Sequence, residues 1–329
     1  MKSGATMMAE ATDQRRASRG GARTTLILGS LLLGLGAASG AEAQEELPPS
    51  GDAIPASDIP REETYETTRG MGMGTGARAS AVGTSAIAYN PANLSMARLY
   101  HAETFAGYGV SDGAWTFGGA IADSTTNRIA AGLSFHGFYG DGDRNYRGFD
   151  GRLALGMPLS QAIAIGVSGR YVKLRSRERN ANDERVGPEL RAFTMDAAIR
   201  VTPTEGLHIA LLGHNIIRTD SPIAPLLLGG SVSYTIANAF TLASDVFVDL
   251  TTMDDESQMV FGFGAEYLVA GQVPLRIGFR REHGRELNQF TAAVGYVDQR
   301  VGIDIALRQD IASDSSDTQL LFAFRYHVQ

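Results

Sequence analysis

Residues 240–250 read FTLASDVFVDL. In an extended chain successive side chains point to opposite faces. Phe240, Leu242, Val246, Val248 and Leu250 then share one face, and Thr241, Ala243, Asp245 and Asp249 share the other. The same rhythm recurs down the chain. Ile163, Ile165, Val167 and Tyr171 oppose Gly166, Ser168 and Arg170. Phe193, Met195, Ala197, Ile199 and Val201 oppose Thr194, Asp196, Ala198 and Arg200. Leu275, Ile277 and Phe279 oppose Arg276, Gly278 and Arg280, while Ile303, Ile305 and Leu307 oppose Asp304, Ala306 and Arg308. Leu320, Phe322, Phe324 and Tyr326 oppose Leu321, Ala323 and Arg325.

A soluble sandwich also alternates, with its apolar face inward. Here the polar face is Gly, Ser, Thr and charge, with few long surface residues. That composition suits a crowded, wet lumen. Counting alternating runs predicts about fourteen strands, from 100–110 to 318–326. Connections after even-numbered strands are tight: 123–127, 158–161, 202–206, 237–239, 269–274 and 298–300. Those after odd-numbered strands are mostly longer and more polar, as at 140–148, 175–189, 216–225 and 309–317. The fold class is therefore all-β, a transmembrane antiparallel β-barrel closed by an even strand number. The parity predicts short periplasmic turns, long outer loops and both termini in the periplasm.

Charge facing lipid is costly, so the alternation assigns Arg170, Asp196, Arg200, Asp245, Asp249, Glu266, Arg276, Arg280, Asp304, Arg308 and Arg325 to the lumen. They could form a selective lining or a salt-bridge ladder that fills the barrel, and their balanced signs favour the ladder. Trp115, Tyr171, Tyr267, Tyr296 and Tyr326 read as interfacial girdle residues.

The chain has 329 residues, no cysteine and a formal net charge of −7. Without cysteine there is no disulfide, no thiolate metal site and no acylated lipoprotein anchor. The acidic balance argues against nucleic acid as a partner. Lysine occurs only at Lys2 and Lys173. The six histidines are scattered, and His208 and His214 are not spaced like a metal site. No cofactor, metal or catalytic grouping is expected, and the chain is not read as an enzyme.

Residues 1–43 read as a signal peptide for the general secretory route. Arg15, Arg16, Arg19 and Arg23 precede the apolar run 24–40, and Ala41-Glu42-Ala43 is a small-x-small cleavage site. A single membrane anchor is the other reading, but the Gly-broken run is short for a span. Residues 44–69 form an acidic, Pro-rich tail that cannot bury a core. Residues 70–99 do not alternate, and 100–329 form the barrel. The Gly70–Gly76 run lacks the Lys-Ser/Thr of a phosphate loop and is expected to be a coil threading into the barrel.

After Gly76-Ala77-Arg78-Ala79 comes Asn90-Pro91-Ala92-Asn93-Leu94. This patch resembles the N-terminal hatch of the outer-membrane long-chain fatty-acid transporter superfamily (FadL-like), closest to its PorV/PorQ-like branch. The family usually carries Gly where Asn93 stands, and its last strand ends on an aromatic, whereas His327-Val328-Gln329 follow Tyr326. The resemblance implies that Asn90, Pro91, Ala92 and Leu94 belong to a plug that occludes the lumen. It implies passive transport of hydrophobic small molecules of the long-chain fatty-acid type, with an apolar pocket near the hatch lined by Met71, Met73 and Leu94. The alternative is a non-transporting barrel that acts as scaffold or cargo binder in a secretion or surface-motility assembly. The partners implied are outer-membrane lipids, a hydrophobic ligand and, for the alternative, an envelope or secretion protein.

Overall fold

The computed structural model describes residues 67–328, apart from 112, 141–145, 177–180, 184–188, 220, 222, 253–256, 285 and 312–316. The expected signal peptide and nearly all of the acidic tail lie outside the described residues, as do parts of the long loops.

Fourteen antiparallel strands form one closed barrel in sequential order. They are β1 (Tyr100–Gly109), β2 (Trp115–Asp123), β3 (Ala130–Tyr139), β4 (Tyr146–Pro158), β5 (Ile163–Ser176), β6 (Glu189–Thr204) and β7 (Leu207–His214). Then follow β8 (Leu227–Ile236), β9 (Phe240–Asp249), β10 (Gln258–Val269), β11 (Val273–Glu282), β12 (Leu287–Val297), β13 (Val301–Ile311) and β14 (Thr318–Val328). β1 pairs with β14 from Tyr100↔Val328 to Gly109↔Gln319, so no strand edge is left open. The last strand runs past Tyr326: His327 pairs with His101 and donates its backbone N–H to the Arg300 carbonyl (2.8 Å).

Hydropathy is inverted relative to a soluble protein. Leu211 is 64% exposed and Ile277 57%, whereas Arg170 and Asp304 are 0% exposed. An apolar exterior around a charged interior is the arrangement hydrocarbon solvent selects. Aromatic side chains mark both rims of that exterior. Tyr100, Tyr234, Tyr267, Tyr296 and Tyr326 are exposed on the short-turn side, and Tyr108, Trp115 and Tyr139 on the long-loop side. The short turns carry local caps. Asp298 accepts the backbone N–H groups of Arg300 (2.7 Å) and Val301 (2.8 Å), which hold its carboxyl below the ordinary value.

The segment before β1 lies inside the barrel. It contains α1 (Thr68–Gly72), a 3-10 turn (Arg78–Ser80), α2 (Thr84–Tyr89) and a second 3-10 turn (Pro91–Ser95). Thr67, the first described residue, is buried, and its hydroxyl caps α1 by accepting the Gly70 N–H (3.2 Å). Arg69, which composition groups with the tail, is therefore an interior residue. The Gly70–Gly76 run is not a loose coil. It forms most of α1 and then turns against the wall, with Gly74 at φ +59°, a conformation that favours glycine. Pro91 starts the second turn, and the residue before it, Asn90, is extended (φ −161°, ψ 90°) as the proline ring requires.

Candidate functional site

Two devices join the inner segment to the wall. The first is charge. Arg69 donates to Glu266 (3.1 Å), Glu266 also accepts from Arg276 (2.5 Å), and Arg276 reaches Asp304 (2.6 Å). Arg325 completes the chain on the other oxygen of Asp304. Farther round, Arg78 pairs with Asp245 (3.0 Å), and Ser231 bonds both that carboxylate and the Ala79 N–H. The Arg78 guanidinium also lies 4.5 Å from the Phe247 ring centre. Thr84 donates its hydroxyl to Glu103, and Arg280 donates to the Thr75 hydroxyl (2.5 Å). Arg152, bonded to Asp150 (3.0 Å), donates to the Ala88 carbonyl (3.0 Å).

The second device is missing side chains. Gly156 and Gly166 face each other across β4 and β5. A Cβ at Gly166 would stand 2.2 Å from the backbone of Pro91 and Ala92, and one at Gly156 would stand 2.4 Å from the Pro91 carbonyl. Gly264 and Gly278, paired across β10 and β11, form a second bed under Met73 and Gly74. Backbone thus packs directly on backbone at two places in the lumen. Between them Asn90 and Asn93, both fully buried, donate side-chain amides to the Arg78 carbonyl (3.1 Å each). Asn93 also bonds the Ala79 carbonyl (3.0 Å), so this asparagine ties the two turns together.

The structure places the residues named from sequence as follows. Asn90, Pro91, Ala92 and Leu94 are all buried in the second turn. The charged residues assigned to the lumen lie on the inner face, the most accessible being Glu266 and Arg325 at 17% and 14% of the side chain. They do not form one ladder. Glu266, Arg276, Asp304 and Arg325 bond to one another in sequence with Arg69 at the Glu266 end, and Asp196 joins Arg152 (3.7 Å) and Ser168 (3.0 Å). Arg170 bonds Asp150 and Asn215. Asp249 instead caps the Thr251 and Thr252 N–H groups (3.0 Å each), and Arg200 bonds Thr202 (3.0 Å). Arg308 bonds Gln319. Sequence reasoning missed Asp150 and Arg152, which the alternation Asp150–Arg152–Ala154 would have revealed. It also missed the roles of Arg69 and Arg78, for which an aperiodic segment carries no signal.

The expected pocket of Met71, Met73 and Leu94 is not formed. These side chains are buried in three separate packed clusters: Met71 with Phe105 and Leu321, Met73 with Ala77 and Ala243, and Leu94 with Ile87 and Ala154. Each fills a gap between the segment and the wall. The largest apolar side chains facing the lumen away from the segment are elsewhere, at the long-loop end. Phe138, Val172, Leu174 and Leu190 point inward there and pack with Ile223 and Ala224 of the β7–β8 connection. On β5 the inner face changes from Ser168 and Arg170 to Val172 and Leu174 within a few residues. A buried apolar cluster therefore covers the β3–β6 side of the long-loop end, while Glu282, Asp310 and Asp317 keep the β11–β14 side charged.

No family profile matches the chain, and no curated protein matches it. Solved structures do. The toluene transporter TbuX of Ralstonia pickettii superposes with a TM-score of 0.58 at 15% identity, covering 80% of this chain and 98% of that one. The chain has the FadL-type fold. The CymD monoaromatic hydrocarbon channel (TM-score 0.58, 12% identity, 79% and 96% covered) and a Pseudomonas aeruginosa FadL homologue (0.58, 11%, 80% and 98%) share it. At these identities the likeness to FadL-type barrels carries architecture, and chemistry has to be argued from residues.

Proposed function

We propose that the chain is an outer-membrane channel for passive entry of small hydrophobic molecules. In this reading, Thr67–Leu99 is the hatch and the long-loop rim faces outward. One observation carries it: the inward cluster Phe138, Val172, Leu174, Leu190 and Ile223 sits at the mouth of an otherwise charged lumen. A hydrophobic guest would take the place of packed apolar side chains in this cluster, and the buried hatch beneath stops free passage of water and ions. The neighbours known as hydrocarbon channels and toluene transporters support the substrate class. The cluster itself carries no charge, and Arg170 and Arg152 below it are already bonded to Asp150. We therefore place neutral guests ahead of ionised fatty acids, departing from the fatty-acid expectation. Placement in the PorV/PorQ-like branch rests on the resemblance of the Asn90-Pro91-Ala92 patch and of the short barrel repeats Pro225 to Tyr234 and Val273 to Arg280.

The test is entry of labelled toluene, with labelled oleate as comparison, into cells that carry the full chain or the Val172→Asp, Leu174→Asp double variant at matched outer-membrane amounts. Two carboxylates in this cluster should slow toluene entry by about tenfold or more, equivalent to roughly 1.4 kcal/mol or more of lost affinity for the mouth. Entry no faster than in cells lacking the protein would remove the transport reading.

A further inference from the structure

The three strands β4, β5 and β6 are the longest in the barrel, at 13, 14 and 16 residues. At their long-loop ends the outward face changes character. Register lines up Gly151, Tyr171 and Phe193 in one outward row, then Phe149, Lys173 and Arg191, then Arg147, Arg175 and Glu189. Apolar and aromatic side chains thus give way to cations in one step on β5 and β6 and in two on β4. Val172 and Leu174 point into the lumen at the same level, so β5 reverses its polarity there. This is where the strands pass from hydrocarbon into the headgroup layer.

Arg147, Lys173 and Arg175 do not stand on a flat wall. Together with Phe117, Phe135, Tyr139 and Phe149 they line an outward groove of about 510 Å³. The rings form a ladder, with Phe135 to Phe149 centroids 5.7 Å apart and Phe149 to Tyr171 5.9 Å apart. They zigzag across β3, β4 and β5, with Phe135 and Tyr171 one row nearer the apolar band than Phe149. Arg191 donates to the Tyr171 hydroxyl (3.0 Å) and extends the positive edge. Glu189, opposite Arg175, is the one acid among the described residues of these rows, and the cluster stays net positive.

We propose that this groove binds a phosphorylated, multiply acylated glycolipid of the outer leaflet, of the lipid A class. The phosphates would lie on Arg147, Lys173 and Arg175, and an acyl chain along Phe135 and Phe149. Three clustered cations complement several phosphate charges better than one carboxylate, and the groove opens to lipid rather than to the lumen. The inference rests on the outward orientation of the long-loop rim but not on transport.

Lys173 supplies the readout, because the only other lysine is Lys2. The full chain is placed in phosphatidylcholine vesicles and titrated with bisphosphorylated lipid A, phosphatidylglycerol or oleate. Acylation of Lys173 by an amine-reactive ester is followed by mass spectrometry of its peptide. Lipid A should protect Lys173 at the lowest concentration of the three. The Arg147→Gln, Arg175→Gln variant should need on the order of thirtyfold more lipid A, since each cation near a charged surface is worth about a fivefold change. The Arg147→Lys, Arg175→Lys variant should retain protection, which separates loss of charge from loss of fold. Absence of protection by lipid A, equal protection of the Gln variant, or equal protection by oleate would each overturn the proposal. Protection by lipid A in a barrel that passes no hydrocarbon would uphold this site while removing the transport reading.

Discussion

Gly166 shows how a residue defined by what it lacks can hold a structure together. Its missing Cβ leaves the space that Pro91 and Ala92 occupy, and the nearest atoms to a new methyl would be backbone, which has little freedom to yield. Gly166→Ala should therefore lift the second turn off the wall, at a cost of about 1–3 kcal/mol as for other overpacked sites. Gly151 is the matched control: it lies on the neighbouring strand, and an added Cβ there would meet nothing within 4 Å. The comparison is the temperature at which the folded gel band of each variant converts to the unfolded one, with tryptic cleavage at Arg69 and Arg78 monitored in parallel. Gly166→Ala should convert earlier and be cut faster, and equal behaviour of the two alanines would mean that the segment is not seated as described. Such close seating could not be read from the sequence. A glycine in a strand is compatible with a bulge, a bend or an approaching backbone, and only the partner tells which.

At the level of elements, the strands were legible and their cross-links were not. Alternation with a period of two is sharpened by a membrane, since each side chain faces either lipid or lumen. The pattern of β9, with Leu242 and Val246 outward and Asp245 inward, held along the strand. Errors fell at ends. β11 starts at Val273 and tolerates Pro274 in its second position, and β14 continues through Val328. The ion pairs between segment and wall were invisible because they join residues as far apart as Arg69 and Glu266, and nothing local encodes that register. The apolar mouth had a faint trace, the change on β5 from Arg170 to Val172 and Leu174 on one face. The seam offers a direct check on topology. Ala106 and Phe322 are cross-strand partners and both face outward. Partners in an antiparallel pair have Cα atoms roughly 4.5–5.5 Å apart, within disulfide range. Ala106→Cys with Phe322→Cys should oxidise to a single internal bridge in a chain that has no other cysteine. Two free thiols after oxidation of the folded protein would contradict the β1–β14 pairing.

The whole molecule places one spectroscopic probe at a useful depth. Trp115, the only tryptophan, is 51% exposed at the start of β2, beside Tyr108 (ring centres 4.8 Å apart) on the long-loop rim. Indole at a membrane interface sits at headgroup level. In vesicles of brominated lipids, its fluorescence should be quenched most by bromines high on the acyl chain and least by those near the terminal methyl. Strongest quenching from the deepest bromines would move the apolar band away from the rims described above.

The seat of the inner segment also constrains the order of assembly. Thr67–Leu99 is synthesised before any strand, yet its partners extend from His101 on β1 to Leu321 on β14, and each glycine bed needs two strands already in register. Contacts this distant along the chain form late, because loop-closure entropy has to be overcome before they can contribute. The earliest part of this region to be made is thus among the last to be fixed. It has to stay unpaired while the wall grows, which its short helices and many glycines permit. It then enters a ring that closes around it, so a barrel halted before β14 joins β1 would present the segment, through the open seam, to whatever solvent or chaperone is near.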